Sequence, residues 1–164
     1  MKLPALRFAL PAFLFLLVIG GSAFAEKKSI VYTNKMGPVL TRTVVTLGDQ
    51  PNHELTQMVR QDMTRSSDPD WEGVPAVNNG QSDLIDGSGA VYGYTTRTHK
   101  NGDKTFYKYQ GTIKAVGAGT QRQTTGQGTV ELIGGTGKFA NARGSGTWSS
   151  EAGGQATIKI DLEY

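Results

Sequence analysis

The chain has 164 residues, a formal charge of +3, 22 glycines and no cysteine. Disulfides, thiolate nucleophiles and cysteine metal sites are therefore excluded, and stability has to come from packing and backbone hydrogen bonding. Two of the cations, Lys2 and Arg7, lie in the first 25 residues; the rest balances 15 basic against 14 acidic side chains without a run of Lys and Arg, which argues against nucleic acid as a partner.

Residues 1–25 read as a secretory signal. Lys2 and Arg7 precede a 13-residue apolar run from Phe8 to Gly20, and Ser22-Ala23-Phe24-Ala25 places small residues where signal peptidase needs them. A membrane-spanning helix would need about 20 apolar residues, and no cysteine follows the run to carry a lipid. The expected mature protein begins at Glu26, is one domain of 139 residues (26–164) and works in the periplasm or outside the cell.

From there the pattern is that of strands. Ser29 to Thr33 and Val39 to Leu47 are the first two candidates. In His53 to Thr64, Leu55, Met58, Val59 and Met63 fit a helix face, whereas Leu55, Val59 and Met63 also fall on one strand face; strand is favoured because its neighbours are strands. His53, beside Glu54 at a strand start, is a proton shuttle or an ordinary strand-end histidine.

Next comes the richest polar cluster: Arg60, Asp62, Arg65, Asp68, Asp70, Trp71 and Glu72, followed by a loop expected to run towards Gln81. Carboxylates crowded at a barrel mouth would raise one another's pKa and supply a general acid. The bland alternative is a solvated loop with Trp71 folded over the barrel end. The acids also offer oxygen ligands, but their spacing is not that of an EF-hand, and with two histidines and no cysteine no metal site is expected.

The clearest hairpin follows. Ala90, Tyr92, Tyr94 and Thr96 alternate with Val91, Gly93, Thr95 and Arg97; Asn101-Gly102 supplies a tight turn in which His99 should be exposed; and Thr105, Tyr107, Tyr109, Gly111 and Ile113 alternate with Phe106, Lys108, Gln110, Thr112 and Lys114. Tyr92, Tyr94, Tyr107 and Tyr109 are candidates for a cross-strand aromatic ladder. Facing inward they would pack a core or line a ligand pocket; facing outward they would cover a neighbouring subunit. Gly126 to Ile133, Gly144 to Ser149, and a last run in which Ile158, Ile160, Leu162 and Tyr164 alternate with polar residues complete the set.

Seven or eight antiparallel strands in so short a chain are best accommodated by a closed barrel, which leaves no edges; a two-sheet sandwich is the rival. Glycines within strands, such as Gly93, Gly111 and Gly128, suit tight bending. Gly134-Gly135-Thr136-Gly137-Lys138-Phe139 has neither the spacing nor the following Ser or Thr of a P-loop, and reads as a corner with Phe139 plugging the barrel. Gly87-Ser88-Gly89 and Gly144-Ser145-Gly146 lack the spacing of a serine nucleophile elbow.

The run from Gly134 to Gly144, with Ser145-Gly146-Thr147-Trp148 after it and Gly126-Gln127-Gly128-Thr129-Val130 before it, resembles the corresponding corner and strands of the allene oxide cyclase and dirigent barrel superfamily. The resemblance covers roughly Leu84 to Tyr164. It implies an eight-stranded antiparallel barrel, often assembled as a homotrimer and working without a cofactor. Plant members cyclise a fatty-acid epoxide or orient phenoxy radicals, whereas secreted bacterial relatives generally have no assigned activity. The cyclase's pocket chemistry includes a cysteine, which this chain lacks.

Two functional classes follow. One is a secreted barrel that binds a small apolar or aromatic molecule, with Tyr92, Tyr94, Tyr107, Tyr109, Trp71 and Asp62 as candidate contacts. The other is a cofactor-independent cyclase or isomerase acting on a hydrophobic substrate. An internal cavity of roughly 300 Å³ or more with paired polar groups would favour a ligand or substrate; a barrel filled by side chains would not.

Overall fold

The computed structural model describes residues 27–117, 121–152 and 155–164, so the signal segment and the expected first mature residue lie outside the described residues. Eight antiparallel strands follow one another round a single sheet: β1 (Lys27–Thr46), β2 (His53–Ser66), β3 (Pro75–Ile85), β4 (Ser88–Thr98), β5 (Lys104–Val116), β6 (Gln123–Gly135), β7 (Arg143–Ser150) and β8 (Ala156–Glu163). The ring closes where Lys27 to Asn34 of β1 pair with Glu163 to Ala156 of β8.

The number of strands agrees with the sequence reading, but two of them arise differently. The runs at 29–33 and 39–47 are one strand, β1, whose register against β2 slips between Met36 and Val39 and again between Val39 and Thr41. Gly37 and Pro38 sit at the first slip. A Cβ on Gly37 would lie 2.5 Å from the Gln61 carbonyl oxygen, and Pro38 has no N–H to give the ladder, so the pair forms a bulge rather than a break.

The compensating strand is β3, in the stretch expected to be a loop. Its Asn78-Asn79-Gly80 reads as a turn in isolation. Pairing on both sides overrides that preference: Asn79 lies opposite Val59 of β2 and Tyr94 of β4. The polarity is also inverted, because Asn78 and Gly80 face inward while Val77 is exposed.

The two ends of the barrel differ. At the end where β2 leads into β3, Trp71 and Val74 fold inward, and the 3-10 turn Gly137–Phe139 inserts Phe139; all three side chains are fully buried. Ile30, Tyr32, Tyr107, Leu132, Ile158, Ile160 and Leu162 pack with Trp71 and Phe139 as the core. Towards the opposite end, inward positions carry small or polar residues such as Asn78, Gly80, Thr124 and Ser150. One half of the barrel is therefore packed and the other hollow.

Candidate ligand-binding cavity

The hollow half holds a partly open cavity of about 420 Å³, lined from every strand. Its walls include Val91, Ile113, Val130, Trp148 and Ile158; its polar groups come from Asn34, Arg60, Asn78, Arg97, Tyr107 and Tyr109. That volume and this mixture of apolar wall with a few polar side chains are those of a small-molecule site.

Glycines create the space and fix two aromatic walls. A Cβ on Gly80 or Gly93 would lie 2.5 or 2.7 Å from the Tyr109 hydroxyl, so the phenol reaches across β4 and β3 only because both positions are bare. It then donates to Asn78 Oδ1 at 2.9 Å. Trp148 lies over Gly111, Gly126 and Gly128 in the same way: a Cβ on Gly111 would come within 2.6 Å of its ring. Its Nε1 donates to the Gln110 carbonyl at 3.1 Å, which pins the indole flat against the wall. These glycines serve side-chain packing as much as the strand bending expected of them.

Two arginines reach the cavity, and their surroundings differ. Arg60 makes a two-point pair with Asp62, Nε to Oδ1 at 2.7 Å and Nη2 to Oδ2 at 3.2 Å. The Asp62 side chain is fully buried, so this carboxylate is committed to its arginine. Arg97, 2% exposed, donates instead to neutral acceptors: Nε to Thr64 Oγ1 at 3.2 Å and Nη2 to Asn34 Oδ1 at 2.9 Å. Its guanidinium stands 4.5 Å from the Tyr32 ring centroid and 5.0 Å from that of Tyr107.

Cation–π contact at a desolvated site is worth about 2 kcal/mol per ring, and a hydrogen bond to a charged group about 1.5–3 kcal/mol. Together these offset the several kcal/mol that burying a cation costs. They solvate the charge without cancelling it. Burial holds the Tyr32 hydroxyl above its usual range despite the opposing pull of Arg97, and does the same to Tyr107. Neither phenol is therefore a phenolate counter-ion near neutral pH. The Tyr107 hydroxyl is buried, with the Thr105 side chain as a polar neighbour.

The sequence candidates fall into four places. Tyr107 and Tyr109 line the cavity. Tyr92 and Tyr94 do not: they are 48% and 59% exposed on the outer face, where Tyr92 donates to Gln81 Oε1 at 2.7 Å. Register explains the separation, since Tyr107 and Tyr109 lie opposite Thr95 and Gly93, whereas Tyr92 and Tyr94 lie opposite Gln110 and Lys108. The four tyrosines thus form no cross-strand ladder. Trp71 is in the plug, stacked on Tyr32 at 5.7 Å, and Asp62 is inside but held by Arg60.

The acidic cluster is dispersed rather than crowded. Asp68 pairs with Lys28 at 2.6 Å, Asp70 with Lys138 at 2.9 Å and Glu72 with Arg65 at 2.8 Å, all at the plugged end. Lys138 holds the Asp70 carboxyl below its usual range, and the Ser66 amide followed by Arg65 does so for Glu72. This is the reverse of the mutual elevation that a general acid would need. His99 is buried, not exposed, edge-on to Trp71 at 5.0 Å, and desolvation lowers its pKa. His53 is bracketed by Asp83 and Asp49, each at 2.7 Å, and these hydrogen bonds raise its pKa.

Arg97, Asn34, Asn78 and Tyr32 also line the cavity, although no sequence motif marks them. The available signal was parity: Arg97 shares a face with Gly93 and Thr95, and the inward face of β4 is the one that carries the glycine, not the tyrosines.

No family model and no curated protein matches the chain. Among solved structures, the chain is similar to one described as a pyocyanin demethylase, with TM-score 0.48 and 16% identity over 82% of this chain and 99% of that one. It is also similar to a pterocarpan synthase dirigent protein, with TM-score 0.45 and 15% identity over 96% and 95% of the two chains.

Proposed function

We propose that the protein is a secreted or periplasmic barrel that binds a small apolar or aromatic molecule inside its hollow half. The observation that carries this reading is the 420 Å³ cavity, with Trp148, Tyr109 and branched aliphatic walls kept open by inward glycines. The N-terminal charge and hydropathy pattern supports the location. The polar groups suit orientation better than proton transfer: Asp62 is tied to Arg60, and burial raises the Tyr109 pKa, leaving the phenol a donor rather than a base.

The test is titration with the neutral fluorescent probe N-phenyl-1-naphthylamine, comparing the natural protein with Thr124→Trp. Thr124 lines the open half of the cavity, so a tryptophan there should obstruct it while leaving the plugged core untouched. Saturable one-site binding that falls at least tenfold in Thr124→Trp is expected. Binding that the substitution does not alter would place the probe elsewhere and overturn the reading.

A further inference from the structure

We propose that the cavity selects an anion: a ligand with an apolar body and one carboxylate, the carboxylate seated on the guanidinium of Arg97. This rests on the reading of the barrel interior as a ligand site and names the chemistry that site prefers.

Of the two arginines on the cavity, Arg60 has its carboxylate in Asp62, while among the described residues Arg97 takes part in no ion pair. The other acids on that side are committed elsewhere, Asp68 to Lys28 and Asp70 to Lys138. Thr64, Asn34, Tyr32 and Tyr107 surround Arg97 with neutral groups. Among the described residues the interior thus carries one positive charge more than it carries negative charges, at a side chain that is 2% exposed yet contributes to the cavity lining.

Position supplies the rest. Arg97 lies near the end of β4 that meets the plug, so its charge is at the floor of the hollow half, with Val130, Ile158, Ile113 and Trp148 along the walls. A planar guanidinium matches a carboxylate in fork geometry, and the pair gains strength away from water. A rigid hydrocarbon ending in a carboxylate satisfies floor and walls together; its neutral amide leaves the cation uncompensated.

The probes are 1-naphthoate and 1-naphthamide, of nearly equal size, measured by isothermal titration calorimetry at low and at 0.5 M salt. We expect about tenfold tighter binding of the carboxylate, retained at high salt because a buried pair is weakly screened. The decisive variant is Asn34→Asp, which places a built-in carboxylate at the atom now 2.9 Å from Arg97 Nη2. It should bring the two affinities together by removing the advantage of 1-naphthoate. Arg97→Met is the companion, with circular dichroism to establish that it folds; if it does not, Asn34→Asp decides alone. Equal affinities in the natural protein, or a preference unchanged in Asn34→Asp, would overturn the anion proposal and leave the cavity reading standing. Binding of neither probe would overturn both.

Discussion

At the scale of residues, the missing side chains matter as much as those present. Gly128 lies under Trp148, and a Cβ there would meet the indole nitrogen at 2.5 Å and crowd the Gln110 carbonyl. Gly128→Ala should therefore cost about 2 kcal/mol, as overpacking typically does, and push the indole into the cavity. Urea unfolding with a probe titration checks both; an unchanged midpoint would show that the wall has slack. The two histidines make an opposed pair. His53, hydrogen-bonded to Asp83 and Asp49, should titrate above its ordinary 6.5, and its stabilisation is whole below that value and lost as pH rises through the raised pKa. His99, desolvated against Trp71 and Phe139, should titrate below 6.5, and its contribution is whole above that value and lost as pH falls through the lowered pKa. Ring-proton resonances followed by NMR report both, and His99 titrating above His53 would contradict the assignment.

At the scale of elements, what could be read from the sequence depended on whether local pattern and long-range pairing agreed. In β8, Ile158, Ile160 and Leu162 are apolar and inward, and the alternation alone identifies the strand. In β4 and β5 the strands and the Asn101-Gly102 turn were legible, but the inward face of β4 was not, because its tyrosines are outside and a buried arginine is inside. β3 was illegible for a related reason: with Asn78 and Gly80 inward, its alternation carries no hydrophobic signal, and only its two neighbours hold it extended. Those inverted positions border the cavity. Hydrophobic patterning reports packed cores, so a strand whose inward positions carry asparagine and glycine is the strand it misses. The plug behaves in the opposite way. Trp71 is wholly buried among Tyr32, Tyr107, His99 and Phe139, so Trp71→Ala should cost about 3–5 kcal/mol. Its indole N–H has no hydrogen-bond partner among the described residues, so Trp71→Phe should cost far less. Chemical denaturation of the two variants distinguishes a packed plug from a loosely closed end.

At the scale of the whole molecule, the barrel is a cup. Aromatic and aliphatic residues fill one end, a buried guanidinium sits above them, and glycine-backed aromatic walls lead towards the other end. Closure depends on the eight pairs between β1 and β8, whereas the part of β1 beyond Asn34 pairs with β2 alone and leaves Val39, Leu40 and Val45 about half exposed. The barrel thus combines a closed ring with an apolar edge on β1. Whether a ligand binds inside the barrel is read by methyl NMR during titration with N-phenyl-1-naphthylamine. Ile113, Val130 and Ile158 line the cavity, whereas Val31, Val77 and Ile133 are exposed. The expected result is saturable shifts and probe-to-methyl contacts confined to the first group; shifts confined to the second would contradict the account.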